Sequence, residues 1–516
     1  MNTLQLALRN LLRNRRRSLA TLLAMAVGSA SILLFGGFSA NVDYELLTRH
    51  VRKGGHLQVQ QRDFYLYGSG DPIAYGLADH GRILKAIRDD EVLSSLVRVA
   101  TPTLQFGGIA GNSAAGVSRT IIGAGFVAED INRMRDWNEF GLRTTAPPSA
   151  LQGSAADAAV VGTGVARVLL MCEALKIANC PAVQKKSTAS DAPSGDIRTK
   201  ANGKAKAKAN GKAHGKSNGK GNGKANGKSN GKSNGNGNGN GNGNGSALPA
   251  DIAQLSLQEA QAAPAAGPRR IDVLVASARG APNVASLEVI RAEDQGVKEL
   301  DDVSIMLHLA RLQTLIYGKL PPGATAIMLQ LARTEQIEQA RARLVTVLAG
   351  FSATQPLAVL DFRQLNPFYV QTMQMFDTIF GFVFVLIGGI VLFTVSNTMN
   401  TSVVERTVEI GTLRAMGLRR GGILRLFVAE GALLGCAGAL LGAVLGLVLA
   451  AVVNQVAMPW LPPGNVELVP FTVRVWGESR LILGTLVGIV CIATVSAWWP
   501  AYRAARLDIV DALRHV

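Results

Sequence analysis

Four apolar runs, at 18–40, 376–399, 423–453 and 481–499, limit what this chain can fold into more than any other feature. Each is near or above the ~20 residues a helix needs to cross a bilayer. Hydrophobic residues make up 48% of the sequence, and because they are concentrated in these runs they describe membrane spans rather than one large soluble core. The expectation is an α-helical membrane protein with four transmembrane helices at 18–40, 373–400, 422–453 and 479–500.

Orientation follows from the basic residues beside the spans. Arg9, Arg13, Arg15, Arg16 and Arg17 precede the first; Arg406, Arg414, Arg419, Arg420 and Arg425 follow the second; Arg503, Arg506 and Arg514 follow the fourth. The excess of Lys and Arg on cytoplasmic loops puts these clusters inside. Segment 1–17, segment 401–421 and the tail 501–516 are then cytoplasmic, while 41–372 and the short loop 454–478 lie on the other side. The first run reads as a retained anchor: "RNRRRSLATLLAMAVG" opens an apolar stretch too long for a signal-peptide core, and Phe38 stands where cleavage after Ala40 needs a small residue.

The formal charge of +17 does not indicate a nucleic-acid partner. Between Lys185 and Ser246, twelve lysines and Arg198 against Asp191 and Asp196 supply +11 of it. This Gly/Asn/Lys-rich insert, 185–250, has nothing to bury against the entropy of ordering and is expected to be disordered. Its Gly-Lys-Ser triplets are not P-loops, since Asn210, Asn222 and Asn226 stand where the first glycine is required. Contact with anionic lipid or cell-wall polymer is the alternative to a tolerated insertion.

The 41–372 segment alternates strand and helix patterns. "GGHLQVQ", "HGRILKAIRDDEVLSSL" and "LVRVATPTLQFGGIA" form one β-α-β order; "ATAIMLQLA", "TEQIEQARARLVTVLAG" and "PLAVLD" repeat it. Between them lies a more β-rich middle with "RTIIGAG", "AAVVGTG" and "RIDVLVAS". A large α+β periplasmic domain in two lobes, inserted between the first two spans, is expected. Gly123 of "GAGFVA", and Gly162 and Gly164 of "VVGTG", read as strand-end turns rather than dinucleotide sites. Cys172 and Cys180 can form a disulfide only if a helix ends near Leu175 and turns back through Asn179 and Pro181, since an unbroken helix holds them ~12 Å apart. Cys436 and Cys491 are small apolar residues of the spans.

The six histidines lack metal-ligand spacing, and no Gly-x-Ser-x-Gly or His-Glu-x-x-His occurs. No catalytic, metal or cofactor residues are assigned, and the chain is not expected to be an enzyme. The stretch "VVERTVEIGTLRAMGLRR" is different in kind. As a helix it stacks Glu405 and Glu409 at i and i+4, spaces Ile410, Leu413 and Met416 by threes, and has Gly417 for its C-terminal cap. A bare connector needs only ~2–8 residues, so a docking helix for a cytoplasmic partner is preferred over a connector whose arginines merely fix topology. Glu430 lies within the third span, where a carboxylate is costly and is usually paired; Arg406, Arg414 and Arg425 are its candidate partners, with snorkelling to the interface as the alternative. Gly438, Gly442 and Gly446, with Gly484 and Gly488, offer close-packing faces for intrachain or dimer contacts.

"SNTMNTSVVERTVEIGTLRAMGLRRGGILRLFVAEGALLG", with "LALRNLLRNRRRSLATLLAMAVG" and "WWPAYRAARLDIVDALR", resembles the FtsX-like or MacB-like ABC transporter permeases. "GGHLQVQ" and "DVSIMLHLARLQTLIYG" match more loosely, and the insert is not covered. The resemblance implies a coupling helix seated in a cleft of a separate ABC ATPase, formed here by Glu405, Arg406, Glu409, Ile410, Gly411, Arg414, Ala415, Met416 and Gly417. It implies a homodimer or a heterodimer with a second permease, ATP and Mg bound by the ATPase rather than by this chain, and a bacterial inner-membrane location. It further implies extraction or export of a lipoprotein or other hydrophobic cargo by mechanotransmission, with a periplasmic adaptor or lipoprotein chaperone as a further partner. Some relatives instead activate a cell-wall hydrolase, and a non-transporting signalling scaffold is the alternative function. A cargo entering sideways between the first two spans would meet Met25, Ser29, Leu33, Phe380, Phe384 and Ile387.

Overall fold

The computed structural model describes residues 3–13, 15–68, 70–143, 146–177, 180, 269–351, 355–461 and 468–507. The 185–250 insert lies outside them. Its helices include α1 (Thr3–Arg13), α2 (Arg15–Gly54), α3 (His80–Asp89), α4 (Glu91–Leu96), α5 (Ala128–Arg135), α6 (Thr163–Val168), α7 (Cys172–Leu175), α8 (Leu309–Tyr317), α9 (Ile337–Leu348), α10 (Pro367–Glu405), α11 (Thr407–Ala415), α12 (Arg420–Val456) and α13 (Ser479–Arg506). The strands of its large sheet are β1 (Leu57–Gln61), β2 (Val97–Asn112), β3 (Val117–Phe126), β4 (Ala158–Gly162), β5 (Arg270–Ala276), β6 (Pro282–Glu293), β7 (Ser304–His308), β8 (Ala326–Leu331) and β9 (Leu357–Asp361).

Among the described residues, α2, α10, α12 and α13 are long and apolar enough to cross a membrane. Their helical limits exceed the hydropathy limits, because a helix does not stop where the lipid stops. With 40 residues, α2 is ~60 Å long at 1.5 Å per residue, about twice the ~30 Å hydrocarbon core. Past residue 40 it turns amphipathic and buries Leu47 and Val51 in the adjoining domain. Gly55, at φ 76°, ends it: a Cβ there would lie 2.6 Å from the Leu329 carbonyl oxygen. Pro367 starts α10 with its φ preset for a first turn, and Tyr369 donates to Asp43 Oδ1 of α2 at 2.5 Å. Trp476 before α13 and Trp498 and Trp499 near its end are exposed and lie a bilayer thickness apart along the helix, as interfacial tryptophans do.

The spans pack through small residues. Cβ atoms added at Gly435 and Gly438 of α12 would lie 2.8 Å from Ala493 Cβ of α13 and 2.7 Å from Met25 Cβ of α2. At Gly442 the nearest backbone atom is the Ala26 carbonyl oxygen, 2.6 Å away, and Gly446 meets Leu33. The 438, 442, 446 stripe is therefore an intrachain interface.

The domain between α2 and α10 is built on one continuous sheet, ordered β3-β7-β4-β6-β5-β2-β8-β1-β9, with β3 also paired to β2. The two β-α-β halves seen in the sequence do not form one lobe each. Their strands join as β2-β8-β1-β9, antiparallel throughout, under α3, α4 and α9, with Leu57, Ile83, Ile87, Leu93, Leu329 and Leu344 in the core. The single helical pattern around residue 90 is broken into α3 and α4 because Asp90 turns extended and accepts from Val92 N and Leu93 N, a side-chain N-cap. The middle closes on itself: β2, β3, β7, β4, β6 and β5 make a six-stranded ring filled by Leu104, Phe106, Ile121, Val161, Val273, Leu287 and Leu307.

Gly123 and Gly125 lie inside β3 rather than in a turn. A Cβ at Gly123 would be 2.5 Å from Phe106 Cζ, so glycine gives that ring its place in the barrel. Gly162 and Gly164 do lead into a helix, and the buried Asp301 occupies its start. The Asp301 carboxylate accepts from Thr163 N at 2.8 Å and Gly164 N at 2.7 Å, filling the position an anion would take.

His56 sits at the foot of the domain, fully buried beside the Trp137 ring. Its Nδ1 accepts from Leu331 N at 3.0 Å, which assigns the proton to Nε2, 3.4 Å from Thr334 Oγ1. Burial pushes its pKa down to about 3, since a charged imidazole has no water there.

Candidate functional site

The segment between α10 and α12 is held from two directions. At Arg406 the backbone leaves the helical region (φ −109°, ψ 17°) and separates α10 from α11. The side chain explains the break: it turns inward, placing Nη1 3.4 Å from both carboxylate oxygens of Glu430 and Nη2 3.1 Å from the Asn10 carbonyl oxygen of α1. Both charges are buried. Of the three candidate arginines, the structure pairs Arg406 with Glu430.

The other direction is the start of the chain. Arg17 binds Glu405 with both guanidinium nitrogens, at 2.7 and 2.8 Å, and Arg13 binds Glu409 Oε1 at 2.5 Å. Two carboxylates on either side of the break at Arg406 thus meet two arginines of α1 and α2. Arg414 donates to the Leu507 carbonyl oxygen just beyond α13. Arg13 and Arg17, Arg406 and Arg414, and the end of α13 thus come together at one end of the helix bundle.

At the far end of α11 the chain closes with a Schellman motif: Leu418 N donates to Leu413 O at 3.1 Å and Gly417 N to Arg414 O at 3.0 Å. This needs a left-handed residue after the C-cap, and Gly417 supplies it at φ 97°. The outward surface that results carries Val408, Thr412, Ala415, Met416 and Leu418, with Arg419 and Arg420 beside them; Met416 is 72% exposed.

This geometry divides the residues expected to touch a partner. Glu405, Glu409, Ala415, Met416 and Gly417 are exposed, and Arg414 is half-buried. Arg406, Ile410 and Gly411 are buried against the bundle and cannot reach a partner in this conformation. Ile410, Leu413 and Met416 do not share a face: steps of three fall short of a full turn, so the row spirals from the core to the surface, and the helix ends before Met416.

The six residues expected to line a lateral cargo entry are not brought together either. Met25, Ser29 and Leu33 are fully buried against the glycines of α12. Phe380 and Ile387 meet a different face of α2, at Phe35, Gly36 and Gly28, and Phe384 packs toward Gly488. Helical spacing alone does not specify which neighbour each of these faces meets.

Cys172 and Cys180 are joined in a disulfide with Cα atoms 6.1 Å apart. α7 stops at Leu175, and Lys176, at φ 54°, reverses the chain. Among the described residues, no group of three or more His, Cys, Asp or Glu could hold a metal ion.

Residues 378–509 match the FtsX-like permease C-terminal family. The chain is 34% identical over 120 residues to an uncharacterized ABC transporter permease, MJ1507, of Methanocaldococcus jannaschii, covering 23% of this chain and 28% of that protein. It is 31% identical over 180 residues to macrolide export ATP-binding/permease protein MacB 1 of Yersinia pestis bv. Antiqua, covering 35% and 25% respectively. Against MacB of Escherichia coli O157:H7 it is 35% identical over 143 residues, 28% of this chain and 20% of the relative. The chain thus spans about a quarter of the length of the curated relatives it matches. Four membrane-length helices thus accompany a C-terminal region that matches the FtsX-like permease family, and in sequence the chain is similar to ABC transporter permeases of the MacB kind.

Proposed function

We propose that the chain is the membrane-spanning subunit of an ABC transporter in a bacterial inner membrane, driven by an ABC ATPase carried on a partner polypeptide. It moves or extracts a lipoprotein or other hydrophobic cargo on the periplasmic side by transmitting force rather than by opening a solute pore. ATP and Mg belong to the ATPase, two permease protomers work together, and a periplasmic adaptor or chaperone receives the cargo.

The observation that carries this reading is the bracing of α11. A push on its exposed surface is passed through Arg13 and Arg17 to α1 and α2, and through Arg406 and Glu430 to α12. α2 and α10, of 40 and 39 residues, run without a break from that end to the neighbouring strands β1 and β9 of the sheet. Displacement of one end of such helices displaces the domain at the other.

The test is reconstitution with the ATPase subunit in proteoliposomes. Stimulation of ATP hydrolysis by the permease should be lost in Met416→Asp while the variant remains folded and membrane-inserted. Undiminished stimulation and ATPase recovery in that variant would overturn the coupling role. Labelling of single cysteines placed at 416 and at 119 from opposite sides of the membrane checks the orientation.

A further inference from the structure

Away from the helix bundle, α3, α4, α5 and β2 surround a cleft of about 450 Å³ whose walls include Ile87, Arg88, Val97, Arg98, Asp130 and Arg133. Its size falls in the ~300–1,000 Å³ range of small-molecule sites. Three guanidinium groups face one carboxylate. Arg88 Nη2 donates to Ala100 O at 2.9 Å and Arg133 Nη2 to Arg98 O at 3.2 Å. Each is thus held by a backbone carbonyl, and each keeps further donors of its five-donor fork. Arg133 also stands 3.4 Å from Asp130. The Arg98 side chain makes no hydrogen bond or ion pair among the described residues. Gathering three cations at one concavity costs self-repulsion that an anion offsets.

We propose that this cleft binds a small organic oxyanion, a phosphate or carboxylate on a compact apolar body, with Arg98 and Arg133 gripping the oxyanion and Arg88 completing the ring of positive charge. Planar guanidinium groups match such groups through paired N–H bonds. Val97 and Ala100 give the body an apolar wall. Asp130 tempers the charge, so the site suits one or two negative charges rather than a polyanion. The oxyanion comes from a soluble metabolite or from a lipid headgroup, which share this chemistry.

The test uses the full chain in a maltoside detergent, which carries neither phosphate nor carboxylate, titrated calorimetrically with glycerol 3-phosphate and with citrate. Saturable binding of at least one probe is expected, weakened about tenfold or more in R98A/R133A and unchanged in R82A, an arginine of α3 outside the cleft. R98A alone breaks no side-chain hydrogen bond or ion pair among the described residues and should show part of the loss. D130N, which removes the opposing carboxylate, should tighten binding, an effect a merely structural role would not produce. Displacement of glycerol 3-phosphate by short-chain phosphatidylglycerol identifies a headgroup as the source, and failure to displace identifies a soluble ligand. No saturable binding of either probe, or equal binding by R98A/R133A, overturns the site.

Discussion

Arg17 and Glu405 are joined by two hydrogen bonds although 388 residues separate them, so the entry to the first span lies directly against the exit of the second. The segment between the second and third spans is thereby tied to a helix with which it shares no covalent connection.

This pair should matter for coupling more than for stability. Its side chains are a third to a half exposed, and such pairs contribute only ~0.2–1 kcal/mol. R17A should leave the unfolding temperature in detergent nearly unchanged. R17E, which sets like charges together, should reduce stimulation of ATP hydrolysis in the reconstituted complex, and R17E/E405R should restore most of it. The double-mutant cycle measured on the ATPase rate checks this.

Arg406 and Glu430 should behave in the opposite way. Both are buried, and removing one charge leaves the other unpaired, a cost of ~3–5 kcal/mol. E430Q should therefore lower the midpoint of thermal unfolding strongly. R406M/E430M, which removes both charges at similar volume, should recover most of the loss. Calorimetry or fluorescence-detected melting of the three variants decides it.

Gly442 and Gly484 should respond differently to alanine. A Cβ at Gly442 meets the Ala26 carbonyl oxygen at 2.6 Å, whereas one at Gly484 meets nothing within 4 Å. G442A forces α2 and α12 apart at ~1–3 kcal/mol, while G484A should be neutral or stabilising, since alanine is the better helix former. Melting midpoints of the two variants give the comparison.

His56 makes the domain acid-sensitive. Its folded pKa of about 3 lies below the ordinary 6.5, so between these values the unfolded chain binds a proton that the folded one does not. The contribution is fully present above pH 6.5 and is lost as pH falls toward 3, by up to ~1.4 kcal/mol per unit. Urea midpoints measured from about pH 7 to about pH 4.5 should fall with pH. His56→Asn, which keeps an acceptor for Leu331 N–H, should flatten that slope.

The spans were legible because hydropathy reports burial in lipid directly, and Gly417 was legible because few residues end a helix as it does. The outer thirds of α2 and α10 were not, since Asn41 to Gly54 is polar on one side and the apolar Leu47 and Val51 show their purpose only against β1 and β8. The sequence places Glu405 and Glu409 on a docking helix and Arg13 and Arg17 beside the first span as topology signals. Sequence shows four charges; only the fold shows that they face one another. The closed barrel was hidden for a similar reason, because nothing in β2 marks Thr103–Leu104 as the place where one strand passes from the β8 ladder to the β3 ladder.

That shared strand has a further consequence. β2 hydrogen-bonds to β8 through Val97–Thr103 and to β3 and β5 through Leu104–Asn112, so no hinge of unpaired backbone separates the barrel from the sheet resting on α2 and α10. In the force-transmitting role proposed above, a displacement entering at β1 would be relayed across this ladder to the barrel's rim, tilting the head as a single lever arm instead of opening it like a jaw.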